Sequence, residues 1–332
     1  MQVAAYDLGV IPRVSASETV ELCVEAEALG FGGVWVAESQ SVFRDAFTIL
    51  GAVAGRTERL LLSTGVTNPV TRHISVLAGT HATLAELAPG RVIVALGRGE
   101  SAVRTAGLRP ATLKRMEDAV HSLRLLLAGQ TTTWDGAEIR LAWPACPVPI
   151  YITASGPKTL RLAGRVADGV LFQSGAAPQL IEWALSQIQA GAQEAGRHLG
   201  DLTVCARVGC CVDDDADAAR DRMRPYAATA AKTVFDSAPA DVLQPALVRD
   251  VAALREAYDY YGQAQFDASH RELLTPAIVD AVAITGTPDR VAERIGRIAD
   301  FGVDRIVLTY AGSDARSQSR LLAETLIPKG SA

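Results

Sequence analysis

Eight short apolar runs recur along the chain, each followed by a segment of helical character. They fall at residues 3–8, 34–37, 60–65, 92–96, 150–153, 169–172, 202–212 and 305–310. A strand covered on both faces of a parallel sheet has no polar side, so it reads as a continuous apolar run rather than an alternation. Parallel neighbours need long crossovers, and the helical segments between the runs supply them. Right-handed crossovers of this kind allow an open doubly wound sheet or a closed barrel. Eight units, with no Gly-x-Gly-x-x-Gly after the first strand, favour the α/β (β/α)8 TIM barrel.

Local signals phase these units. Ser15 and Glu18 have capping-box spacing, and Gly30 closes the helix that follows. Thr287-Pro288 reads as an N-cap with Pro at the first helical position. Asp135-Gly136 marks a hairpin turn in an excursion at residues 130–149. Ala28-Leu29-Gly30-Phe31-Gly32-Gly33-Val34, Ala167-Asp168-Gly169-Val170 and Ala299-Asp300-Phe301-Gly302-Val303 repeat one theme: a helix end, a glycine, an apolar strand. Residues 213–284 are Ala-rich and charged, with helical character and no clear strand. They are longer than one crossover requires, so the chain is expected to be a single barrel domain over 1–332 with a mainly helical insertion at about 213–284, between strands seven and eight.

Composition excludes other classes. The 332 residues are 49% hydrophobic with a net charge of -5, and Lys and Arg form no long block. That speaks against nucleic acid or a membrane surface as partner. No uncharged apolar run approaches the ~18 residues of a membrane span. The N-terminal residues lack the basic and apolar regions of a signal peptide, so a cytoplasmic location is expected. Five cysteines without Cys-x-x-Cys spacing point to neither a disulfide framework nor a zinc site, and no metal is expected.

In a barrel the chemistry gathers at the C-terminal ends of the strands. Polar and Gly-rich residues collect there after consecutive strands: Glu38-Ser39-Gln40, then Gly65-Val66-Thr67-Asn68, then Gly97-Arg98-Gly99-Glu100, then Ser155-Gly156-Pro157-Lys158, then Gln173-Ser174-Gly175. Small residues at the start of the helix after Ser155 let backbone N–H groups approach an anion, and Lys158 adds charge. The same residues also fit a plain N-cap followed by Pro. Arg98 is suited to a phosphate and Glu100 to proton transfer. His73 reads as a capping or packing residue rather than a base. Asp213-Asp214-Asp215 reads as an acidic helix start rather than a metal cluster. Tyr258, Tyr260, Tyr261 and Phe266, at helix-like spacing, read as core or interface rather than as a substrate stack.

At these residues the chain resembles the bacterial luciferase-like superfamily of flavin- and deazaflavin-dependent oxidoreductases, and most of all the branch containing methylenetetrahydromethanopterin reductase. The resemblance rests on Thr64-Gly65-Val66-Thr67-Asn68-Pro69-Val70-Thr71-Arg72-His73, Leu96-Gly97-Arg98-Gly99-Glu100-Ser101, Tyr151-Ile152-Thr153-Ala154-Ser155-Gly156-Pro157-Lys158 and Gly286-Thr287-Pro288. It implies a barrel with insertions, a homodimer, and a cofactor at the strand ends above a non-prolyl cis peptide at Gly65–Val66. It implies a cofactor phosphate cradled by Ser155, Gly156 and Lys158 with Ser174 and Gly175. Cofactor contacts on this reading fall on Glu38, Gly65, Val66, Asn68, Gly97, Arg98, Gly99, Ser155, Gly156, Pro157, Lys158, Gln173, Ser174 and Gly175. The expected activity is hydride transfer between coenzyme F420 and a small organic substrate, with Glu100 handling the proton beside Ser39 or Gln40. A carboxyl group beside an apolar ring face is expected to have a raised pKa.

Two departures matter. Several deazaflavin-dependent relatives carry Asp-His where this chain has Glu38-Ser39, so an imidazole acid is missing. Arg98 stands where flavin-using relatives place an Arg on the FMN phosphate. An FMNH2-dependent monooxygenase and a non-catalytic flavin-binding protein are therefore the alternatives.

Overall fold

The computed structural model describes residues 5–235, 252–254, 256–263 and 273–328. Eight parallel strands close a barrel: β1 (Ala5–Val10), β2 (Gly33–Val36), β3 (Leu61–Thr64), β4 (Val92–Leu96), β7 (Ile150–Ala154), β8 (Gly169–Phe172), β9 (Thr203–Val212) and β11 (Arg305–Thr309). They pair in chain order, and β11 returns to β1 with Ala5 opposite Arg305. Every pairing around the ring is parallel, as the apolar runs require.

Local chemistry follows the sequence closely. Ser15 and Glu18 make the reciprocal capping box of α1 (Ala16–Ala28). Asp45 caps α2 (Ala46–Ala54), and His73 caps α3 (Ile74–Leu87) by accepting from the Ser75 backbone N–H. Asp135 and Gly136, both at positive φ, turn the antiparallel hairpin of β5 (Thr132–Trp134) and β6 (Ala137–Ile139). Asp215 accepts from the Asp217 and Ala218 backbone N–H groups at the start of α8 (Ala216–Phe235), so the acidic run is a helix start.

One strand was not legible. β10 (Ala283–Gly286) lies at the end of the stretch expected to hold no strand and pairs in parallel with β9. It is four residues long and directly follows the helix Pro276–Val282, so neither length nor a turn residue announced it. Strand β9 can hold it because its ten residues outrun the barrel. Its first residues pair with β8, its middle with β11, and residues Gly209–Val212 with β10. Helix α8 and the helix Pro276–Val282 pack here in their own apolar cluster, which includes Cys211, Met223, Tyr226 and Tyr310.

The barrel interior holds Trp35, Ile93, Ala95, Tyr151, Leu171, Cys205 and Val307. Below them a buried ion pair ties the closing strands together. Asp7 on β1 is fully buried, accepts from Arg305 on β11 at 2.7 Å, and accepts from the Trp35 indole N–H at 2.9 Å. This end is therefore plugged, and the opposite end is left to carry function. No helix among the described residues is long and apolar enough to cross a membrane.

Candidate active site

The loops at the C-terminal ends of the strands, together with helix α8, surround a cavity of about 600 Å³. Its wall on the β3 side is the cis peptide Gly65–Val66. Backbone packing leaves little room there. A Cβ added at Gly97 on the next strand end would come within 2.5 Å of the Val66 side chain. Glycine at 97 is thus what lets the β4 loop pass close to the bulge. Asn68 fixes the turn beyond it, its Oδ1 accepting from the Val70 and Thr71 N–H groups at 3.1 and 2.9 Å.

Eleven of the residues singled out in the sequence line this cavity: Glu38, Gly65, Val66, Asn68, Gly97, Arg98, Gly99, Glu100, Ser155, Gly156 and Gln173. They arrive from five different strand ends, which is the convergence that the barrel topology demands. Glu38 is buried and ion-paired with Arg72, which also holds Asp45 at 2.6 Å. Arg98 reaches the cavity but spends its Nε on the Ala111 carbonyl at 2.6 Å. Gly99 takes φ +83°, and Gly156 is the N-cap of α6 (Pro157–Val166).

The structure does not bring the other six into the lining. The Gln40 side chain donates to the Ala102 carbonyl at 2.7 Å and so staples the β2 loop to the short helix after Glu100. Ser39 is buried with no partner for its hydroxyl among the described residues. Pro157 and Lys158 are exposed on the first turn of α6. Ser174 and Gly175 are buried beneath the insertion, where a Cβ at Gly175 would lie 2.7 Å from the Ala281 carbonyl.

The insertion supplies what the sequence did not show. Lys232 of α8 donates to Glu100 Oε1 at 2.8 Å, and the Tyr260 hydroxyl donates to the same oxygen at 2.8 Å. Lys232 also stands 5.1 Å from the Tyr260 ring centre and 5.5 Å from that of Tyr258. Tyr260, read from the sequence as core or interface, touches the cavity through its bond to Glu100 and is not itself in the lining. Tyr258 packs edge-on against it and bonds Thr229 at 2.9 Å, Tyr261 reaches the Thr105 carbonyl at 3.3 Å, and Phe266 lies outside the described residues.

Electrostatics correct a second expectation. Burial raises the Glu100 pKa, but the hydrogen bond and charge of Lys232, with the Tyr260 hydroxyl and Arg104, outweigh it and leave the value below the usual carboxylate range. The expected raised pKa assumed an apolar neighbour, and the neighbour is an ammonium group. Lys232 moves the opposite way. Burial opposes its charge, yet Glu100 more than compensates, and its pKa is raised. At neutral pH this is an ionised pair facing the cavity.

The residues fit a polar, tricyclic cofactor in one specific respect. Thr153 Oγ1 and Glu38 Oε2 are buried atoms of lining residues with no hydrogen-bond partner among the described residues, in a molecule whose buried polar groups are otherwise mostly paired. A group with polar edges would find partners in such a wall.

Comparison with known proteins gives one consistent answer. The luciferase-like monooxygenase family model matches residues 3–305. The chain is 35% identical over 310 residues to a 5,10-methylenetetrahydromethanopterin reductase of Methanolobus tindarius, spanning 91% of this chain and 93% of the relative. It is 30% identical to an F420-dependent glucose-6-phosphate dehydrogenase of Nakamurella multipartita, spanning 94% and 92%. Among solved structures, the coenzyme F420 dependent tetrahydromethanopterin reductase of Methanopyrus kandleri superposes with a TM-score of 0.81 at 24% identity over 99% of each chain.

Proposed function

This chain belongs to the luciferase-like monooxygenase family, and from that premise we propose that it is an oxidoreductase moving a hydride between coenzyme F420 and a small organic substrate. The observation that carries the reading is the ionised Glu100–Lys232 pair in the same cavity as the Gly65–Val66 bulge and the Ser155-Gly156 loop. Relatives matched over more than nine-tenths of the chain are F420-dependent, which supports the cofactor.

On this reading Gly65 and Val66 back the ring, and Asn68, Gly97 and Gly99 hold the loops that leave room for it. Glu38 and Gln173 face it from the neighbouring strand ends, and Ser155 and Gly156, ahead of Pro157 and Lys158, receive its phosphate at the start of α6. Ser174 and Gly175, expected at the phosphate too, have no part in this reading, since they lie buried beneath the insertion outside the cavity lining. The cofactor, when bound, supplies the hydride chemistry, and the protein supplies position and charge. Glu100, as a carboxylate, is set to take a proton from the substrate as the hydride leaves, and Lys232 steadies the charge before and after. Tyr260 holds the accepting oxygen in place. Ser39 and Gln40 act at one remove, by fixing the β2 loop.

A second reading, an FMN-dependent monooxygenase, has Arg98 in its favour. Titration with F420 and with FMN, followed by fluorescence, separates them. F420 is expected to bind at least about tenfold more tightly, a difference of about 1.4 kcal/mol. Equal or tighter binding of FMN overturns the F420 reading. A homodimer is part of the proposal, supported by exposed Val76, Leu87 and Trp143 around the groove between α2 and α3. Light scattering on the purified protein tests it.

A further inference from the structure

Arg207 is a charge that the proton-handling pair does not use. It stands on β9, inside the barrel, and lines the same cavity. Its Nε donates to Thr309 Oγ1 at 3.2 Å, and its Nη1 donates to the Gly65 carbonyl at 3.1 Å. Among the described residues these two bonds leave the second terminal nitrogen to the cavity. Nor does any described carboxylate form an ion pair with this guanidinium. Burial lowers its pKa, and only the Tyr226 hydroxyl acts the other way. Three other part-buried arginines have a carboxylate partner, Arg72 with Glu38 and Asp45, Arg222 with Asp213, and Arg305 with Asp7, while Arg91 and Arg197 are held by several backbone carbonyls instead.

A guanidinium set in a cavity wall without a counter-charge is a ready partner for an anionic ligand. Its fork geometry matches a planar, two-oxygen anion better than a point charge. The surroundings have the same character. Gln173 and Tyr226, both lining the cavity, lie 3.5 Å apart, and Thr153 Oγ1 has no described partner. Of the other cations lining the cavity, Lys232 and Arg104 are matched by Glu100, and Arg98, on the β4 loop, is tied by its Nε to the Ala111 carbonyl. We propose that Arg207 is the anchor for a carboxylate, and that the substrate of this chain is a small organic acid. This rests on the oxidoreductase reading above and names the substrate class for that site. It also assigns β9, the strand paired with β8, a part in specificity.

The test is calorimetric titration of the protein, with and without F420, using benzoate and pyruvate as probes and benzamide as the neutral control. Benzoate is expected to bind about tenfold or more tightly than benzamide, because the amide lacks the charge that Arg207 lacks a partner for. Arg207→Met is expected to abolish that preference and Arg207→Lys to keep part of it, with F420 affinity in Arg207→Lys, which keeps a donor for the Gly65 carbonyl, within about threefold of the wild type. Equal binding of benzoate and benzamide, no binding of either acid, or a preference that survives in Arg207→Met overturns the proposal. Collapse of F420 affinity in Arg207→Lys also overturns it, since the anchor would then serve the cofactor. Should Arg207→Met fail to fold by circular dichroism, crystals soaked in sodium bromide decide: bromide in hydrogen-bond reach of Arg207 supports the anchor, and none there overturns it. Acid binding that persists in a wild-type protein unable to bind F420 leaves the anchor standing and overturns the cofactor assignment instead.

Discussion

Glu100 illustrates how far one side chain's behaviour depends on a partner remote in sequence. Lys232 is 132 residues away and Tyr260 is 160, so no spacing rule joins them. Remove the ammonium group and burial becomes the dominant influence. In Lys232→Met the Glu100 carboxyl is therefore expected to titrate above the ordinary value of about 4.3, where the wild type titrates below it; carbon-13 NMR of labelled glutamate reads both. The direction also fixes the pH window. Because its folded pKa is lowered, the bond between Glu100 and the insertion contributes fully above the unfolded carboxylate range and is lost as pH falls through the folded value. The half-exposed position of Glu100 keeps that contribution small. Turnover, once a substrate is in hand, should show no Glu100 limb near pH 6. Glu100→Gln should lower it by about 10²–10⁴-fold with cofactor affinity little changed. Near-normal turnover would demote Glu100 to a helix-capping or surface role.

Among the elements, α6 links stability to the site. It crosses α7 (Pro178–Glu194) at two glycines. A Cβ at Gly164 would lie 2.1 Å from the Ile188 carbonyl, and one at Gly191 would lie 2.0 Å from the Arg161 carbonyl. Backbone cannot yield as a flexible side chain does, so Gly164→Ala is expected to cost about 1–3 kcal/mol in denaturant unfolding. Since α6 begins at the Ser155-Gly156 loop, the same variant should also weaken F420 binding. Ser15→Ala is the contrasting case: it removes the capping box of α1 and should cost about 0.5–2 kcal/mol while leaving binding unchanged. Elements of this kind were legible because their causes are local: Ser15 with Glu18, Asp135 with Gly136, Thr287 with Pro288. The barrel strands were legible for a similar reason, since double-sided burial writes itself as an apolar run. Strand β10, Lys232, Tyr260 and Arg207 were not, because each owes its role to tertiary neighbours. A charged residue inside β9 carries no local mark that distinguishes a wall from a solvent face.

At the scale of the whole molecule, the ring closes through the ladder of β1 with β11 and a buried ion pair beside it. Asp7 joins β1 to Arg305 of β11 and also holds the indole of Trp35, whose backbone carbonyl sits 3.1 Å from where a Gly65 Cβ would be. Asp7→Ala would leave a buried guanidinium and an indole N–H without partners. Unfolding in urea should register a loss of about 3–5 kcal/mol, and a loss below about 1 kcal/mol would show that closure rests on the strand ladder alone.

The division of labour around Glu100 has an evolutionary consequence. The barrel encodes the carboxylate, but the segment between strands seven and eight encodes its protonation state. A chimera that exchanged residues 213–284 for those of another family member would inherit a new pocket shape and, in the same step, a different acid–base chemistry. A change in this segment thus alters the pocket and the surroundings of Glu100 together, while Arg207 on β9 stays with the barrel.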